Sequence, residues 1–254
     1  MYLASHVVLP RKVWLKTTHG GGASDMAVQM LREACLLDAL SHPAIPRVFE
    51  CGVRADRRPW AAFERVEGES LADTLVAGPL AVAELAVLLR NVAEVLEHAH
   101  ARGVVHRALT ADAILKTPSR SSSICVVNWG KASAVGADQH RADDARADVH
   151  ALGAIAFRAL TGCLHTPAVS ATEWCPGAPR ELTALIDSML QSRPELRPTS
   201  AEVRERARWL AASFEQLAIE KPRWTPPHGV DPQTLPPVAE TGTFSIRISR
   251  TRSS

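Results

Sequence analysis

The sequence predicts an α+β fold, with strands gathered in the first quarter of the chain and helices filling most of the rest. Three patterns carry this. Residues 1–16, MYLASHVVLPRKVWLK, alternate apolar and polar around Pro10-Arg11, as a two-stranded hairpin does. Val82–Arg102 is Ala- and Leu-rich, with apolar residues at helical spacing. Val104-Val105 and Ile114-Leu115 bracket the polar run between them, which is how two short buried strands hold a loop in place.

Composition narrows the class. A chain of 254 residues with 46% apolar content and a mean hydropathy of −0.04 fits one large or one bilobal domain with a substantial core. A net charge of +2 gives no strong field for nucleic acid or an anionic membrane. With 5% aromatics and one tyrosine, a base-stacking platform is not expected either. The five cysteines (Cys35, Cys51, Cys125, Cys163 and Cys175) show no paired spacing, so reduced thiols in a cytoplasmic protein are expected. Val7-Val8-Leu9 is too short for a leader or a membrane span.

Taken in order, Ala23–Leu40 carries Met26, Met30, Leu31, Ala34 and Leu37 at helical spacing, with Ser24 or Asp25 near its start. Strands follow at Arg47–Val53 and Trp60–Val66, joined by the polar turn at 55–58. Leu71–Val76 and Val82–Arg102 read as helices; His98 and His100, two apart, face different sides of the second and make no metal pair. Ser119–Ser123 is a polar turn and Ile124–Val127 a short buried strand. Asp148–Thr161 is an apolar helix closed by Gly162. Glu181–Leu190 and Thr199–Leu217 are further helices, with Pro194-Glu195-Leu196-Arg197-Pro198 between them. Beyond Ala218, six prolines forbid regular helix, so 218–254 reads as a disordered tail with room for a short strand at Thr243–Ile248.

These motifs, in this order over about residues 1–215, resemble the bacterial (Hanks-type) serine/threonine protein kinase family. His106-Arg107-Ala108-Leu109-Thr110-Ala111-Asp112-Ala113-Ile114-Leu115 is similar to its catalytic loop, H-R-D-L-K-P-x-N-I-L. Val13-Trp14-Leu15-Lys16 resembles V-A-I-K, with Lys16 as the phosphate-binding lysine and Glu33 as its helical partner. Ser41-His42-Pro43, the Glu67–Leu71 run (E-G-x-S-L), Phe63 as gatekeeper, Asn128-Trp129-Gly130 at D-F-G and the proline turn at 194–198 complete the set. The resemblance implies a bilobal kinase-like fold: a small β-rich N-lobe over 1–63, a hinge at 64–70, a larger helical C-lobe over 71–217, then the tail. The N-lobe is truncated in this reading, because the glycine-rich loop would precede residue 1; a start codon further upstream would restore it. Gly20-Gly21-Gly22 follows the lysine and reads as a flexible connection.

The departures fall on the chemistry. Ala108 stands at the catalytic aspartate, Thr110 at the lysine, Ala113 at the metal-binding asparagine and Asn128 at the D-F-G aspartate. Phosphoryl transfer needs a carboxylate near the hydroxyl and oxygen ligands for Mg²⁺. The segment from Lys131 to Ala147 is also short and holds no A-P-E. The expectation is a pseudokinase without bound ATP, Mg²⁺ or other metal, acting through protein partners (an active kinase or another signalling protein) and not through nucleic acid or membrane. The alternative is a residual ATP-binding serine/threonine kinase or another nucleotide-dependent transferase. By resemblance, Leu37, His106 and Trp129 should stack as a spine anchored on Asp148. Asp143 or Asp144, Asp144 for choice, should approach Arg197 in place of the missing glutamate. Trp14, two residues before Lys16 on one strand face, should fill the space of an adenine ring.

Overall fold

The computed structural model describes residues 1–6, 11–18, 25–56, 58–134 and 140–217. The hairpin turn at 7–10, the glycine run at 20–22, the Ser24 cap and the tail from 218 lie outside the described residues.

The N-terminal part is a four-stranded sheet with one helix on it. Strands β1 (Tyr2–Ser5), β2 (Lys12–Thr17), β3 (Val48–Val53) and β4 (Pro59–Glu64) lie in the order β1-β2-β4-β3, antiparallel throughout. The register sets Leu3, Trp14 and Phe63 across three adjacent strands, and Lys16 opposite Ala61. Helix α1 (Asp25–Leu40) packs on β3 and β4 through Ala34, Leu37 and Leu40, each almost fully buried. Burying side chains of the size of Leu37 and Leu40 contributes about 1.5–3 kcal/mol each.

The remainder is helical apart from three small strand pairings. After β5 (Glu69–Ser70), Ser70 caps α2 (Leu71–Val76), its hydroxyl accepting from the Asp73 amide at 3.0 Å. Helix α3 (Val82–Ala101) runs through the centre of the core, nine of its residues buried along one broad face. It leads into β6 (Val104–Val105), a 3₁₀ turn at Ala111–Ala113, β7 (Ile114–Lys116) and β8 (Ile124–Val126). Strand β7 pairs antiparallel with β5 on one side and β8 on the other, and β6 pairs with β9 (Ser133–Ala134). The apolar pairs at 104–105 and 114–115 are thus strand ends that hold a loop between them.

One boundary differs in a way that matters. Helix α4 spans His140–Thr161, so much of the segment read as a shortened loop forms two further turns in front of Asp148. The run His-Arg-Ala-Asp-Asp-Ala-Arg-Ala-Asp explains it: alanine and arginine are strong helix formers, and acidic residues favour a helix N-terminus. Its other end is the expected glycine cap, Gly162 at φ +78° with its amide donating to Arg158. The irregular stretch before residue 180 contains one short helix, α5 (Ala171–Trp174), whose start is tied by Asp187 accepting from Ser170 and from the amide of Ala171. Helices α6 (Arg180–Met189) and α7 (Ser200–Leu217) complete the core, α7 lying along α3.

Candidate functional site

A cleft opens between the sheet and the helical part, lined from above by Trp14, Lys16 and Phe63 and from below by Leu115, Val127 and Asn128. Each side chain arrives by an identifiable local rule. Trp14 and Lys16 share a face of β2 because strand side chains alternate. Lys16 meets Glu33 of α1, its Nζ 2.7 Å from both carboxylate oxygens, with Glu33 nearly buried and Lys16 about a third exposed. Lys16 also sits 4.7 Å from the centre of the Phe63 ring, within cation–π range. The indole of Trp14 is half-buried and packs against the main core. The cavity left beside it is about 150 Å³.

Beneath the cleft, one carboxylate organises the loop. Asp148 is 1% exposed, and accepts hydrogen bonds from the amides of His106 (2.7 Å) and Arg107 (2.8 Å) and from His100 Nε2 (3.0 Å). Arg107 has φ +62°, a left-handed conformation costly for a residue with a β-carbon, so the two anchored amides hold the chain where it would not stay alone. His106 is fully buried. Burial lowers its pKa and keeps the ring neutral: Nε2 donates to the Val127 carbonyl (3.0 Å) while Nδ1 accepts from the Ala108 amide (3.3 Å). Its ring lies 4.6 Å from that of Trp129, which is 1% exposed and donates from Nε1 to the Val126 carbonyl at 2.8 Å. Leu37 belongs to the same large buried core as Trp129 and, like it, lines the cleft. The described contacts join His106 to Trp129 and to Asp148.

The positions read as departures from the family pattern surround this frame. Ala108 is half-buried just beyond His106. Thr110 is exposed and opens the 3₁₀ turn, its carbonyl accepting from the Ala113 amide at 3.0 Å. Ala113 is fully buried, and its carbonyl accepts from Val127 N at 2.8 Å. Asn128 sits exposed at φ +66° on the cleft floor.

The expected approach of Asp144 to Arg197 is not what the structure has. Because α4 starts at His140, Asp144 and Asp148 stand four apart on one helical face, and that face looks at the loop. Asp148 takes the backbone of Arg107; Asp144 takes its guanidinium, at 2.5 Å. Arg197 instead donates to the carbonyls of Gln191 (2.7 Å), Ser192 (3.0 Å) and Arg146 (3.3 Å). The Asp143 side chain lies outside the described residues. His98 and His100 diverge as their spacing requires, His98 to the Leu40 carbonyl (2.6 Å) and His100 to Asp148 and Ser200.

Two partners escaped the sequence altogether. Arg120, in the polar turn, forms a close ion pair with Glu64 at the end of β4 and donates to the Pro43 carbonyl at 2.9 Å. Arg146 donates to the carbonyls of Pro194, Glu195 and Arg197, bracing the proline turn. Neither had a signal, since each depends on elements tens of residues apart.

The protein kinase domain family matches residues 2–159. The chain belongs to the protein kinase family. Among curated relatives of this kinase-family chain, the serine/threonine-protein kinase pkn2 of Myxococcus xanthus is 31% identical over 65% of this chain and 23% of its own length. PknJ of Mycobacterium tuberculosis is 28% identical over 89% of this chain and 45% of its own length. For PrkC of Bacillus subtilis the figures are 26%, 89% and 40%. The chain thus spans less than half of the length of each of these relatives. In structure it is similar to the kinase domain in the crystal structure of Rad53 kinase domain and SCD2, with a TM-score of 0.61, 22% identity and coverage of 79% of this chain and 80% of that one. The fold is the bilobal protein kinase fold. Among the described residues, no helix is long and apolar enough to cross a membrane.

Proposed function

We propose that this kinase-family chain is a pseudokinase, a domain that binds protein partners and regulates them without transferring phosphate. One observation carries the reading. Where phosphoryl transfer needs a proton-accepting carboxylate and charged oxygen ligands for Mg²⁺, the chain has Ala108 in the loop, the buried Ala113 behind it and Asn128 on the cleft floor. A methyl group offers no lone pair, and one amide oxygen offers no charge. Losing a general base alone typically lowers a rate by 10² to 10⁴. The residues present fit a Mg²⁺–nucleotide poorly for a second reason. Small-molecule sites usually enclose roughly 300–1,000 Å³, and the cleft retains about 150 Å³ beside the Trp14 indole. Trp14 takes the place a nucleotide base would need and keeps the two lobes packed without one.

A second reading is a nucleotide-binding enzyme of low activity. The Lys16–Glu33 pair favours it, as do relatives named as serine/threonine kinases. The same pair also secures α1 against β2, which requires no nucleotide.

Titrating ATP with and without Mg²⁺ against intrinsic tryptophan fluorescence separates the two. The expected result is no saturable binding below millimolar concentration in the unmodified chain, and no transfer of labelled γ-phosphate to itself or to generic protein substrates. Micromolar, Mg²⁺-dependent binding with transfer above background would establish the second reading.

A further inference from the structure

One guanidinium of the helical part grips two separate points of the sheet part. Arg120 sits in the turn between β7 and β8, and that turn is closed on itself. The Thr117 amide donates to the Ser123 carbonyl (2.8 Å), its hydroxyl to the Ser122 carbonyl (2.8 Å), and the Arg120 amide to the Thr117 carbonyl (3.1 Å). From this base the side chain pairs with Glu64, the last residue of β4, and donates to the Pro43 carbonyl between α1 and β3 at 2.9 Å. Glu64 passes the connection on. Its second carboxylate oxygen accepts from the Arg47 amide at 3.0 Å, and its own amide donates to the Arg47 carbonyl at 2.8 Å. The paired side chains are only 20% and 19% exposed, so salt screens them weakly. Among the described residues, this is the one ion pair that joins the sheet part to the helical part.

We propose that Arg120 is a latch that fixes the angle between the two lobes from outside the cleft, and that its release lets the sheet rock open. Three observations point to it. The first is placement. Glu64 lines the cleft and Arg120 does not, so the latch and the cleft wall share one residue, and a change at either is felt at the other. The second is that the latched state is a compromise. Arg120 Nε is buried and meets no acceptor among the described residues. A buried donor without a partner is unfavourable, and release relieves it. The third is that no other tie here does the same work. The Leu40 carbonyl accepts from His98 (2.6 Å) and the Ala44 carbonyl from the Val126 amide (2.8 Å). Both seat the end of α1 and the loop after it on the helical part, and neither reaches β4. Without Arg120 the loop stays seated while β4 and the hinge are free to move, as element-terminal residues do in hinge closure. This inference stands apart from the reading of the cleft, since neither Arg120 nor its acceptors require a nucleotide to be bound or excluded.

Cys125 supplies the readout. It is fully buried on β8, burial pushes its thiol up to about 12, and the charges of Arg120 and Glu64 also act on it. Labelling of the full chain with a disulfide reagent under native conditions, resolved by peptide, follows its exposure. In Arg120→Met, which keeps an apolar stem, Cys125 is expected to react roughly tenfold faster than in the unmodified chain, because local opening sets the rate. Thiol chemistry alone would act the other way, since Arg120 lowers the Cys125 pKa and its loss disfavours the thiolate. Cys175, buried in the helical part, is the control and should keep its rate. Hydrogen exchange supplies a second variant: amides of 65–70 should exchange faster in Glu64→Gln and in Arg120→Met, and the double variant should exchange no faster than Arg120→Met. Equal Cys125 rates in Arg120→Met and the unmodified chain would overturn the latch. So would Cys125 and Cys175 accelerating together, because Arg120 would then serve global stability alone. If Arg120→Met does not fold, unchanged exchange at 65–70 in Glu64→Gln overturns the proposal in its place.

Discussion

Replacing Asp148 by alanine should damage this protein more than any change in the cleft. The carboxylate is 1% exposed and accepts three hydrogen bonds, from His106 N, Arg107 N and His100 Nε2 at 2.7, 2.8 and 3.0 Å. Leaving a buried donor unsatisfied costs about 1–3 kcal/mol, and at least the His106 amide has no access to water. The left-handed backbone at Arg107 adds about 1–2 kcal/mol of strain that the carboxylate no longer offsets. Some of this relaxes as the loop moves, so the expected loss is about 3–5 kcal/mol, a large part of the stability of an ordinary domain. Asp148→Asn keeps the shape and one acceptor oxygen, and should cost about half as much. Urea unfolding followed by tryptophan fluorescence reads both, because Trp129, one of six tryptophans, packs against His106 in the folded loop. A loss below about 1 kcal/mol for Asp148→Ala, with an unchanged denaturant slope, would refute the view that this carboxylate organises the loop.

The other predictions are smaller in scale. Asp144→Ala removes a pair whose partners are both substantially exposed, and should change stability by less than about 1 kcal/mol in the same assay. Burial lowers the pKa of His106, and also of His42, His150 and His165. The unfolded chain then binds protons first as pH falls below about 6.5, so stability is complete above that value and declines below it, seen as a falling Tm between pH 7.5 and 5.5. Among the thiols, exposed Cys35 and Cys51 should react quickly with a disulfide reagent under native conditions. Buried Cys125 and Cys175, pushed up to about 12 and about 11, should stay unmodified until the protein unfolds. On the proposed reading, Trp14→Ala should open the cleft and raise the affinity for adenine nucleotides above that of the unmodified chain while giving no phosphoryl transfer.

Elements that announce themselves by local periodicity were legible. The amphipathic run of α3, the apolar strand pairs around the loop and the glycine ending α4 each need only a few neighbouring residues to identify. The start of α4 was not, because Lys131–Ala147 was read by what a kinase would have there and not by its own helix-forming composition. That error moved Asp144 as well. In a loop it could have turned toward Arg197; in a helix, four residues before Asp148, its direction is fixed toward Arg107. The ion pair of Arg120 with Glu64 illustrates a second limit, since no pattern in either segment specifies which of 29 Lys and Arg residues will meet that carboxylate.

The residues that keep the family pattern and most of those that depart from it divide by what their side chains touch, the fully buried Ala113 being the exception. Leu37, His106, Trp129 and Asp148 are all buried, His106 in contact with Trp129 and held by Asp148, and removing any of them leaves a void or an unsatisfied donor. Glu33 is in the same position, because its carboxylate is nearly buried and Lys16 satisfies both of its oxygens. By contrast, the Asn128 side chain faces the open cleft, Thr110 faces solvent, and Ala108 needs no partner beyond its own backbone. A chain can exchange the second set at little cost in folding free energy, while each change in the first set costs several kcal/mol. An intact Lys16–Glu33 pair is therefore weak evidence for catalysis in this cleft, since it would be retained for α1 alone. The discriminating residue is Trp14, which occupies cleft volume without being fully buried. Its removal should cost less than the roughly 3–5 kcal/mol typical of a core aromatic and alter nucleotide access more than stability.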